Sequence, residues 1–373
     1  MATHARSPGT SDATGPGART DAPPAWLQGA RAAPSAHNTQ PWRFTRLPDG
    51  RVAVGWDPER TLPAGDPTYR DLYLALGAAV ESARLQAAAV GTPLRFSPTP
   101  DERDGIVGYL IPIDGLPHEA MAAEDPFGDP DPVLDRRLAA VLDARHTART
   151  PHLPRPVPAA LVDALQHEAR RHGCRLYVVA GRGGMRRLAL LARRATAAQF
   201  ADPAVHAELW RWLRLDPGDP AYRRDGLTAE CMDLRGIPLL VARLALPPAR
   251  MRALARVGAH HMLALDTERV VRHSAALCLL TAPSERRNDI VLAGRVLQRL
   301  WLLAAEAGLT THPISALLDC AVTAGPAVGV FGATGRVAAA LYRMGYTAAV
   351  PRAPRLPSEE LLAPMEPAAD ATV

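Results

Sequence analysis

The sequence predicts an α+β fold made of two related halves, and three observations support this. Helical stretches alternate along the chain with short segments that suit strands, which is more typical of a mixed fold than of a helical bundle. A helix-like stretch in the first half is repeated in the second. The 373 residues, of which 47% are hydrophobic, are enough to bury the cores of two domains.

The first half is predicted to contain two helices and two strands. Residues 26–32 suit a helix, and the alternation of side chains over Arg51–Trp56 favours a strand. Residues 72–90 suit a long helix that ends at Gly91, because glycine adopts the left-handed conformation that terminates helices. Ile106–Ile113 is a further strand candidate.

A change in composition marks the boundary between the halves. The run Glu124–Pro132 is acidic and holds three prolines, so it cannot form the interior of a helix. Asp131 is expected to cap the helix that follows, with Pro132 in its first turn. We therefore expect residues 1–24 to be a disordered tail, residues 25–125 the N-terminal half and residues 126–373 the C-terminal half.

One helical segment occurs twice. Gly77–Gly91 (GAAVESARLQAAAVG) and Gly294–Gly308 (GRVLQRLWLLAAEAG) share a glycine at each end and an Ala-Ala pair at the same offset. This agreement predicts a duplicated unit, although two Ala- and Leu-rich helices with glycine caps could also agree by chance. Leu297, Leu300 and Trp301 have the spacing of a buried helix face, so Trp301 is expected to pack rather than to bind a ligand.

The composition excludes several classes of function. All 43 basic side chains are arginine and the sequence contains no lysine, which excludes a Schiff base to pyridoxal phosphate and a Walker A loop. The net charge of +5 is dispersed among acidic residues, so we expect no nucleic-acid partner. The four cysteines lack the spacing of zinc ligands, and no metal site is predicted. No run of about 18 apolar residues occurs, so we expect a cytoplasmic chain without a membrane partner.

Two glycine-containing motifs imitate nucleotide-binding turns. VGVFGATGRVAAAL places Gly329, Gly332 and Gly335 at three-residue spacing, as in a dinucleotide-binding loop. Too few residues follow it for the further β-α units of such a domain, so this reading is disfavoured. AGRGGMRR (180–187) follows the strand candidate Arg175–Val179 but lacks the third glycine, and it is interpreted as a turn.

A group of arginines is the better candidate for a binding site. In ARHTARTP, Arg145, Thr147 and Arg149 alternate with other residues, so in an extended segment they would offer two guanidinium groups and a hydroxyl on one side. Such a set suits a phosphate monoester, because arginine binds phosphate oxygens in a bidentate manner. A solvated basic turn is the alternative. Arg355, in a proline-rich segment, is a further candidate.

Several motifs together resemble those of the nitroreductase family of flavoproteins. APSAHNTQPWRF (33–44) resembles the family's APS-x-x-N-x-QPW motif, and RHTAR (145–149) resembles its R-[RH]-[ST]-x-[RK] motif. Arg343, Gly345 and Tyr346, with the later Pro-Arg at 354–355, are similar to its C-terminal segment. The resemblance is greatest to the Acg-type FMN-binding oxidoreductases and covers roughly residues 25–360.

The resemblance implies a nitroreductase-like fold in which the two halves form an intramolecular pseudo-dimer. In that family two subunits interlock and FMN lies at their interface. The implied FMN-binding residues are Pro34, Ser35, Ala36, Asn38, Arg145, His146, Thr147, Arg149, Ser315, Ala316 and Arg355. Ser315 and Ala316 stand where the family usually has Glu-Gly near flavin N5, which puts ordinary nicotinamide-driven turnover in question. Trp42 and Phe44 are expected to anchor the loop in the core.

The two halves supply different parts of this site, so we expect one FMN site per chain. TAPSERRND (281–289) shares only the letters APS with the first-half motif and is interpreted as the end of a strand. A cover over the flavin is expected at about residues 195–260, where Trp210 and Trp212 are interpreted as packing residues. Such pseudo-dimers could pair again into a homodimer.

Two classes of function remain open. The first is an FMN-dependent oxidoreductase that passes electrons or hydride to a small organic electrophile, or oxidises a small substrate, with NAD(P)H as one candidate reductant. The second is a protein that binds or stores FMN with little turnover. No catalytic side chain is assigned from the sequence.

Overall fold

The computed structural model describes residues 23–99, 105–113, 125, 127, 131–348 and 351–363. Residues 1–22 of the predicted tail and most of the predicted boundary segment 124–132 lie outside these residues, so both expectations stay predictions, as does the division into halves at residue 125. The fold class is α+β, as predicted.

Helices contribute more residues to the described chain than strands do. They are α1 (Trp26–Arg31), α2 (Arg70–Ala89), α3 (Pro132–Ala140), α4 (Ala159–Arg171), α5 (Arg182–Ala201), α6 (Pro203–Arg211), α7 (Gly236–Ala245), α8 (Pro248–Arg256), α9 (Ala259–Arg272), α10 (Arg287–Glu306), α11 (Ala316–Asp319) and α12 (Ala321–Val330). The cap predicted for α3 is present, because Asp131 accepts hydrogen bonds from the backbone N–H groups of Val133 and Leu134 at 3.1 and 3.0 Å.

The strands are short. They are β1 (Trp42–Arg46), β2 (Val52–Trp56), β3 (Leu94–Pro98), β4 (Ile106–Pro112), β5 (Arg175–Val179), β6 (Leu213–Arg214), β7 (Leu227–Thr228), β8 (Ala276–Ala282), β9 (Thr310–Pro313), β10 (Val337–Gly345) and β11 (Leu362–Ala363). The predicted strands at β2, β4, β5 and β8 are therefore confirmed, and β8 ends where TAPSERRND begins to turn.

The first sheet belongs mainly to the N-terminal half and has the order β11-β1-β2-β4-β3. Its pairs are antiparallel, as in Trp42 opposite Trp56, except that β11 lies parallel to β1 with Phe44 opposite Leu362. Trp42 and Phe44 are fully buried, which confirms that they anchor the loop before β1. The C-terminal segment thus returns to the N-terminal sheet and passes Arg355 on the way.

The second sheet belongs to the C-terminal half and has the order β5-β8-β10-β9. The long strand β10 lies between β8 and β9, with Arg343 opposite His312 of β9. All seven residues of β8 are buried. This arrangement places Arg343 of β10 beside the segment that carries Arg145 and Arg149.

The two helices that carry the repeated sequence, α2 and α10, pack against each other between the two sheets. A Cβ atom on Gly77 would lie 2.0 Å from the carbonyl oxygen of Val291, and one on Gly294 would lie 2.3 Å from that of Leu74. The first glycine of each repeat is therefore required where the helix backbones cross. The last glycines, Gly91 and Gly308, have φ values of 79° and 75° and end the two helices in the same way.

A buried network of ion pairs joins α2 and α10. Glu81 lies 2.8 Å from a guanidinium nitrogen of Arg84, 3.1 Å from one of Arg295 and 3.0 Å from one of Arg299. Burial alone would raise the pKa of Glu81, but these three guanidinium groups hold it well below its usual range. Asp135 of α3 pairs with Arg299 at 2.6 Å. Each cation of this network therefore has a carboxylate partner.

The first of the two glycine motifs lies in a connection that differs from a nucleotide-binding loop. Gly332 and Gly335, with φ of 67° and 79°, connect α12 to β10. This is a helix-to-strand order, the reverse of a dinucleotide-binding turn. It agrees with the prediction that the motif is not a dinucleotide-binding loop. The interpretation of AGRGGMRR as a turn was wrong beyond Gly181, because α5 begins at Arg182.

Three expectations from the composition concern the cysteines, a metal site and membrane-spanning helices. Cys174, Cys231 and Cys278 are buried and Cys320 is half-buried, and all four are free thiols. Among the described residues, no cluster of three or more His, Cys, Asp or Glu side chains is placed to hold a metal ion, and no helix has the length and apolarity needed to cross a membrane.

Candidate functional site

The loop 33–40 adopts an unusual backbone conformation. His37, Asn38 and Gln40 have positive φ values of 48°, 57° and 52°, in the left-handed region that non-glycine residues seldom adopt. The hydroxyl of Ser35 accepts a hydrogen bond from the backbone N–H of Gln40 at 2.9 Å, which closes the loop. A strained loop held in one conformation is typical of a binding site.

Asn38 joins three separate parts of the chain. Its side-chain nitrogen donates to the carbonyl oxygens of Gly226 at 3.1 Å and Pro354 at 2.9 Å. Its side-chain oxygen accepts a hydrogen bond from the Arg355 guanidinium. The sequence-predicted residues Asn38 and Arg355 are therefore brought into direct contact, although 316 residues separate them in the chain.

Arg145 is buried without a charged partner. One of its terminal nitrogens donates to the carbonyl oxygen of Ala32 at 3.1 Å, while Nε and Nη1 have no hydrogen-bond partner among the described residues. Burial, and after it the charges of Arg355 and Arg352, lowers the pKa of Arg145 from its ordinary value to about 9. Its environment therefore opposes a positive charge and would be relieved by an anion.

Arg149 and Arg355 complete this arginine cluster, by which we mean Arg145, Arg149 and Arg355. Arg149 donates to the carbonyl oxygen of Cys231 at 3.3 Å, and the thiol sulfur of the same residue lies 4.0 Å away. Burial lowers the pKa of Arg149, and burial together with Arg31 lowers that of Arg355 to about 10. Within the described residues, none of the three forms an ion pair with a carboxylate.

The residues between these arginines have different environments. Thr147 pairs with Thr311 in an isolated β-bridge, and the backbone N–H of Ala148 donates to the carbonyl oxygen of Thr311 at 3.3 Å. His146 instead places Nδ1 2.9 Å from the carbonyl oxygen of Ala144 at the protein surface. The extended segment thus projects Arg145 and Arg149 inward, whereas His146 lies outside the buried cluster.

Arg343 fixes this segment, a role that the sequence prediction missed. It is fully buried and donates to the carbonyl oxygens of Ala148 at 2.8 Å and Thr150 at 2.7 Å. Its Nε donates to Nδ1 of His312 at 2.9 Å. Burial and the charge of Arg149 lower its pKa to about 9. The match of Arg343 to a family motif was the available signal, but its contacts could not be predicted from spacing.

Ser315 and Ala316 begin the short helix α11, and both are half-buried. The carbonyl oxygen of Ser315 accepts hydrogen bonds from the backbone N–H groups of Leu318 and Asp319 at 2.7 and 3.0 Å. At the end of the same helix, Asp319 pairs with Arg70 of α2 at 2.6 Å. The predicted flavin N5 segment therefore lies one helical turn from a charged group that the sequence prediction did not include.

That group contains three carboxylates and one cation. Arg70 also pairs with Asp71 at 2.8 Å. Asp66 is 4% exposed, and only one of its carboxylate oxygens has a partner among the described residues, the N–H of Leu72 at 2.9 Å. Burial and the charge of Asp71 raise the pKa of Asp66 to about 7 and that of Asp319 to about 8. Protons are therefore held here near neutral pH.

The imidazole of His37 senses charges of both the arginine cluster and this acidic group. Burial and the charge of Arg149 lower its pKa to about 4, while Asp71 acts in the opposite direction. One half-buried imidazole is thus sensitive to both groups. The strained loop therefore connects the part of the site that favours an anion with the part that retains protons.

A segment of the C-terminal half lies against the loop. The side chain of Glu208 accepts hydrogen bonds from the backbone N–H groups of Ala64 at 3.0 Å and Gly65 at 2.8 Å. Gln40 donates to the carbonyl oxygen of Arg224 at 3.0 Å. Together with the contact of Gly226 to Asn38, these bonds attach residues 208–231, part of the predicted cover, to the N-terminal half.

A cleft of about 270 Å³ borders the acidic group. The residues that line it include Arg70, Leu318, Gly325, Thr334 and Arg336. Because Leu318 belongs to α11, the cleft reaches the same helix that Ser315 and Ala316 begin. It does not include the arginine cluster.

The chain is similar in sequence to several bacterial proteins. A Mycobacterium tuberculosis protein named "Uncharacterized protein MT1398" is 28% identical over 291 residues, which cover 77% of this chain and 38% of that protein. "Putative NAD(P)H nitroreductase acg" from the same species is 29% identical over 194 residues, covering 52% of this chain and 54% of that protein. "Probable NAD(P)H nitroreductase PigM" from Serratia is 24% identical over 300 residues, covering 78% and 79%.

Two further similarities are too weak to assign a fold or a family. The FMN-dependent nitroreductase NfnB from Mycobacterium smegmatis, solved with NADPH, aligns with a TM-score of 0.35 at 20% identity, covering 59% of this chain and 95% of that one. A family model described as yeast mating factor alpha hormone matches residues 210–222 only, a stretch too short to assign a family.

The α+β fold thus brings the strained Asn-containing loop into contact with Arg355 of the arginine cluster, whose members have no carboxylate partner among the described residues. In sequence, the chain is similar to proteins named as NAD(P)H nitroreductases. Its matches span about two fifths and about half of the first two relatives.

Proposed function

We propose that the chain is an FMN-dependent oxidoreductase that transfers electrons to a small organic electrophile. The observation that carries this proposal is the arginine cluster: Arg145 is buried and Arg149 and Arg355 are half-buried, and within the described residues none of them has a carboxylate partner. A phosphate monoester supplies two negative charges and oxygens that accept hydrogen bonds from guanidinium groups. The unpaired donors of Arg145 therefore suit the phosphate of FMN.

The other sequence-predicted residues would hold the remainder of the cofactor. Pro34, Ser35 and Ala36 precede the strained residues of the loop, and Asn38 would be kept in place by its bonds to Gly226 and Pro354. Ser315 and Ala316 would face the reactive edge. Bound FMN supplies two-electron chemistry at its N5 atom, and the protein supplies position and electrostatics.

The acidic group gives the site a source of protons. Reduction of an electrophile such as a nitro group consumes protons as well as electrons. The pKa values of about 7 for Asp66 and about 8 for Asp319 leave both carboxyls partly protonated at neutral pH. Asp319 would serve as the nearer donor, because it ends the helix that Ser315 and Ala316 begin. We propose the adjoining cleft as the place where the small electrophile binds.

Binding of FMN compared with riboflavin tests the phosphate assignment without a mutation. Riboflavin lacks the phosphate, so we expect flavin-stripped protein to bind it at least about 100-fold more weakly than FMN, as two charge-assisted hydrogen bonds of about 1.5 kcal/mol each imply. The FMN stoichiometry should be one per chain, and two per chain would contradict a single site. Equal affinity for the two flavins would refute the role of the arginines.

Anaerobic reduction tests the oxidoreductase assignment separately. Addition of NADPH or NADH to the FMN-loaded protein should bleach the flavin absorption, and a nitroaromatic or quinone should restore it. Persistent colour with both nucleotides, together with tight FMN binding, would leave the cofactor assignment standing but would favour a protein that stores the flavin.

A further inference from the structure

The helix α7 has two apolar faces, of which only one is buried. Ala242 and Leu246, at the end of the helix, pack into a core cluster with Met251. A single charged residue, Arg243, occurs within its ten residues. A helix that is apolar around most of its circumference is normally covered on all sides, so the second face requires a partner.

The uncovered face forms a regular stripe. Ile237, Leu240, Val241 and Leu244 have the i, i+3, i+4, i+7 spacing of one helix face, and they are exposed by 77%, 56%, 45% and 52%. We call these four residues the α7 stripe. Large apolar side chains exposed together in this way mark an interaction surface.

The residues around the stripe are basic and contain no acid. Between Asp233 and Asp266 the sequence has five arginines and neither aspartate nor glutamate. Arg243 lies within α7, and Arg250 donates to the carbonyl oxygen of Leu244 at 3.1 Å, which places it at the end of the stripe. The surface that covers the stripe must therefore tolerate or favour positive charge beside it.

We infer that the α7 stripe and its arginines dock on an anionic lipid surface. Apolar side chains on one face of a helix insert at the boundary between headgroups and acyl chains, while arginines beside them attract anionic headgroups. Such a helix lies in the plane of the surface and needs no membrane-spanning length. This inference changes our expectation, made from the sequence, that the chain has no membrane partner.

Two other occupants fit the surface less well. A second copy that met the stripe through two-fold symmetry would place the same arginines next to one another, which costs energy. The undescribed termini lack the side chains to cover it: residues 1–22 contain one large apolar residue, Met1, and residues 364–373 contain two, Met365 and Val373.

Sedimentation of the full chain with lipid vesicles tests the inference. We expect binding to vesicles that contain phosphatidylglycerol and much weaker binding to phosphatidylcholine alone. The variant Leu240→Ser/Leu244→Ser should abolish binding, whereas Val133→Ser, at an equally exposed position of α3, should not. Arg250→Gln should weaken binding about fivefold, the value for removal of one basic residue near an anionic surface.

Several outcomes would overturn the inference. Failure to bind vesicles that contain phosphatidylglycerol would do so. Equal binding to the two kinds of vesicle would also do so, as would retained binding by Leu240→Ser/Leu244→Ser. Analytical ultracentrifugation without lipid covers the remaining occupant, because a dimer that the double variant converts to a monomer would assign the stripe to a second copy. A thermal melt of each variant establishes that it is folded.

Discussion

Replacement of Arg145 by methionine should change the stability of the flavin-free protein and its affinity for FMN in opposite directions. The fall of the Arg145 pKa from its ordinary value to about 9 sets a ceiling of roughly 5 kcal/mol on the cost of its buried charge. The variant also loses the hydrogen bond to Ala32 and leaves that carbonyl oxygen unsatisfied. These two losses cost about 2 kcal/mol and reduce the stability gained by removing the charge. Methionine retains most of the packing against Trp301. We therefore expect the flavin-free variant to be more stable by about 1 to 3 kcal/mol.

The same variant should bind FMN roughly 10- to 100-fold more weakly, because a charge-assisted hydrogen bond of about 1.5 to 3 kcal/mol is lost. Urea denaturation of stripped protein measures the first quantity, and titration of FMN fluorescence measures the second. Arg295→Met is the matched control, since Arg295 is equally buried but lies 3.1 Å from Glu81 and 2.6 Å from Asp125. It should lose about 3 kcal/mol of stability and keep its intrinsic affinity for FMN.

The reasoning would be refuted if Arg145→Met destabilised the stripped protein as much as Arg295→Met does. Unchanged affinity for FMN would refute it independently, because the unpaired donors of Arg145 would then have another purpose. A variant that is both more stable and weaker in binding separates a ligand-binding arginine from a structural one.

Three further predictions concern the helix crossing, the acidic group and the cleft. Gly294→Ala should lower the free energy of unfolding by about 2 to 3 kcal/mol, because its Cβ would lie 2.3 Å from the Leu74 carbonyl oxygen. Gly325→Ala is the control and should not destabilise the protein, because the space around Gly325 is open. Urea denaturation measures both. The raised pKa values of Asp66 and Asp319 mean that the folded state retains protons that the unfolded chain releases near pH 4. Stability should therefore fall from about pH 6 to about pH 9, by at most about 4 kcal/mol for one pKa unit of Asp66 and two of Asp319, and Asp66→Asn should flatten this slope in melts across pH. Gly325→Trp should fill the cleft and lower steady-state turnover about tenfold or more with unchanged FMN content, and unimpaired turnover would exclude the cleft as the acceptor site.

Local chemistry explains the elements that could be predicted from the sequence. The cap at Asp131 and the strand alternation in β2 depend on neighbouring residues, which a sequence displays directly. The repeat was also visible, but the reason for its first glycines was not. Gly77 and Gly294 are required by the carbonyl oxygens of the opposite helix, and this contact exists only after the halves have packed.

The part of the site that depends on long-range contact could not be predicted. The parallel pairing of β11 with β1 involves two residues, too few to produce a pattern. Asp319 has no unusual neighbours in the sequence, and its raised pKa results from burial and from Asp71, which is far away in the chain. Cys231 contacts Arg149 only because the cover segment folds across the loop. In each case the functional property belongs to a contact and not to a residue type.

Arginine has two opposite roles in this chain, and charge pairing distinguishes them. Arg295 and Arg299 are almost fully buried, yet each lies within 3.1 Å of Glu81, so their charges join α2 to α10. Arg145 and Arg149 are also held inside the protein, but the described residues provide them only with carbonyl oxygens. A buried cation without an anion is costly unless a ligand supplies the missing charge. Since the sequence contains no lysine, the choice of basic residue carries no information; what distinguishes Arg145 from Arg295 and Arg299 is that it has no carboxylate partner and keeps two donor nitrogens without a partner among the described residues.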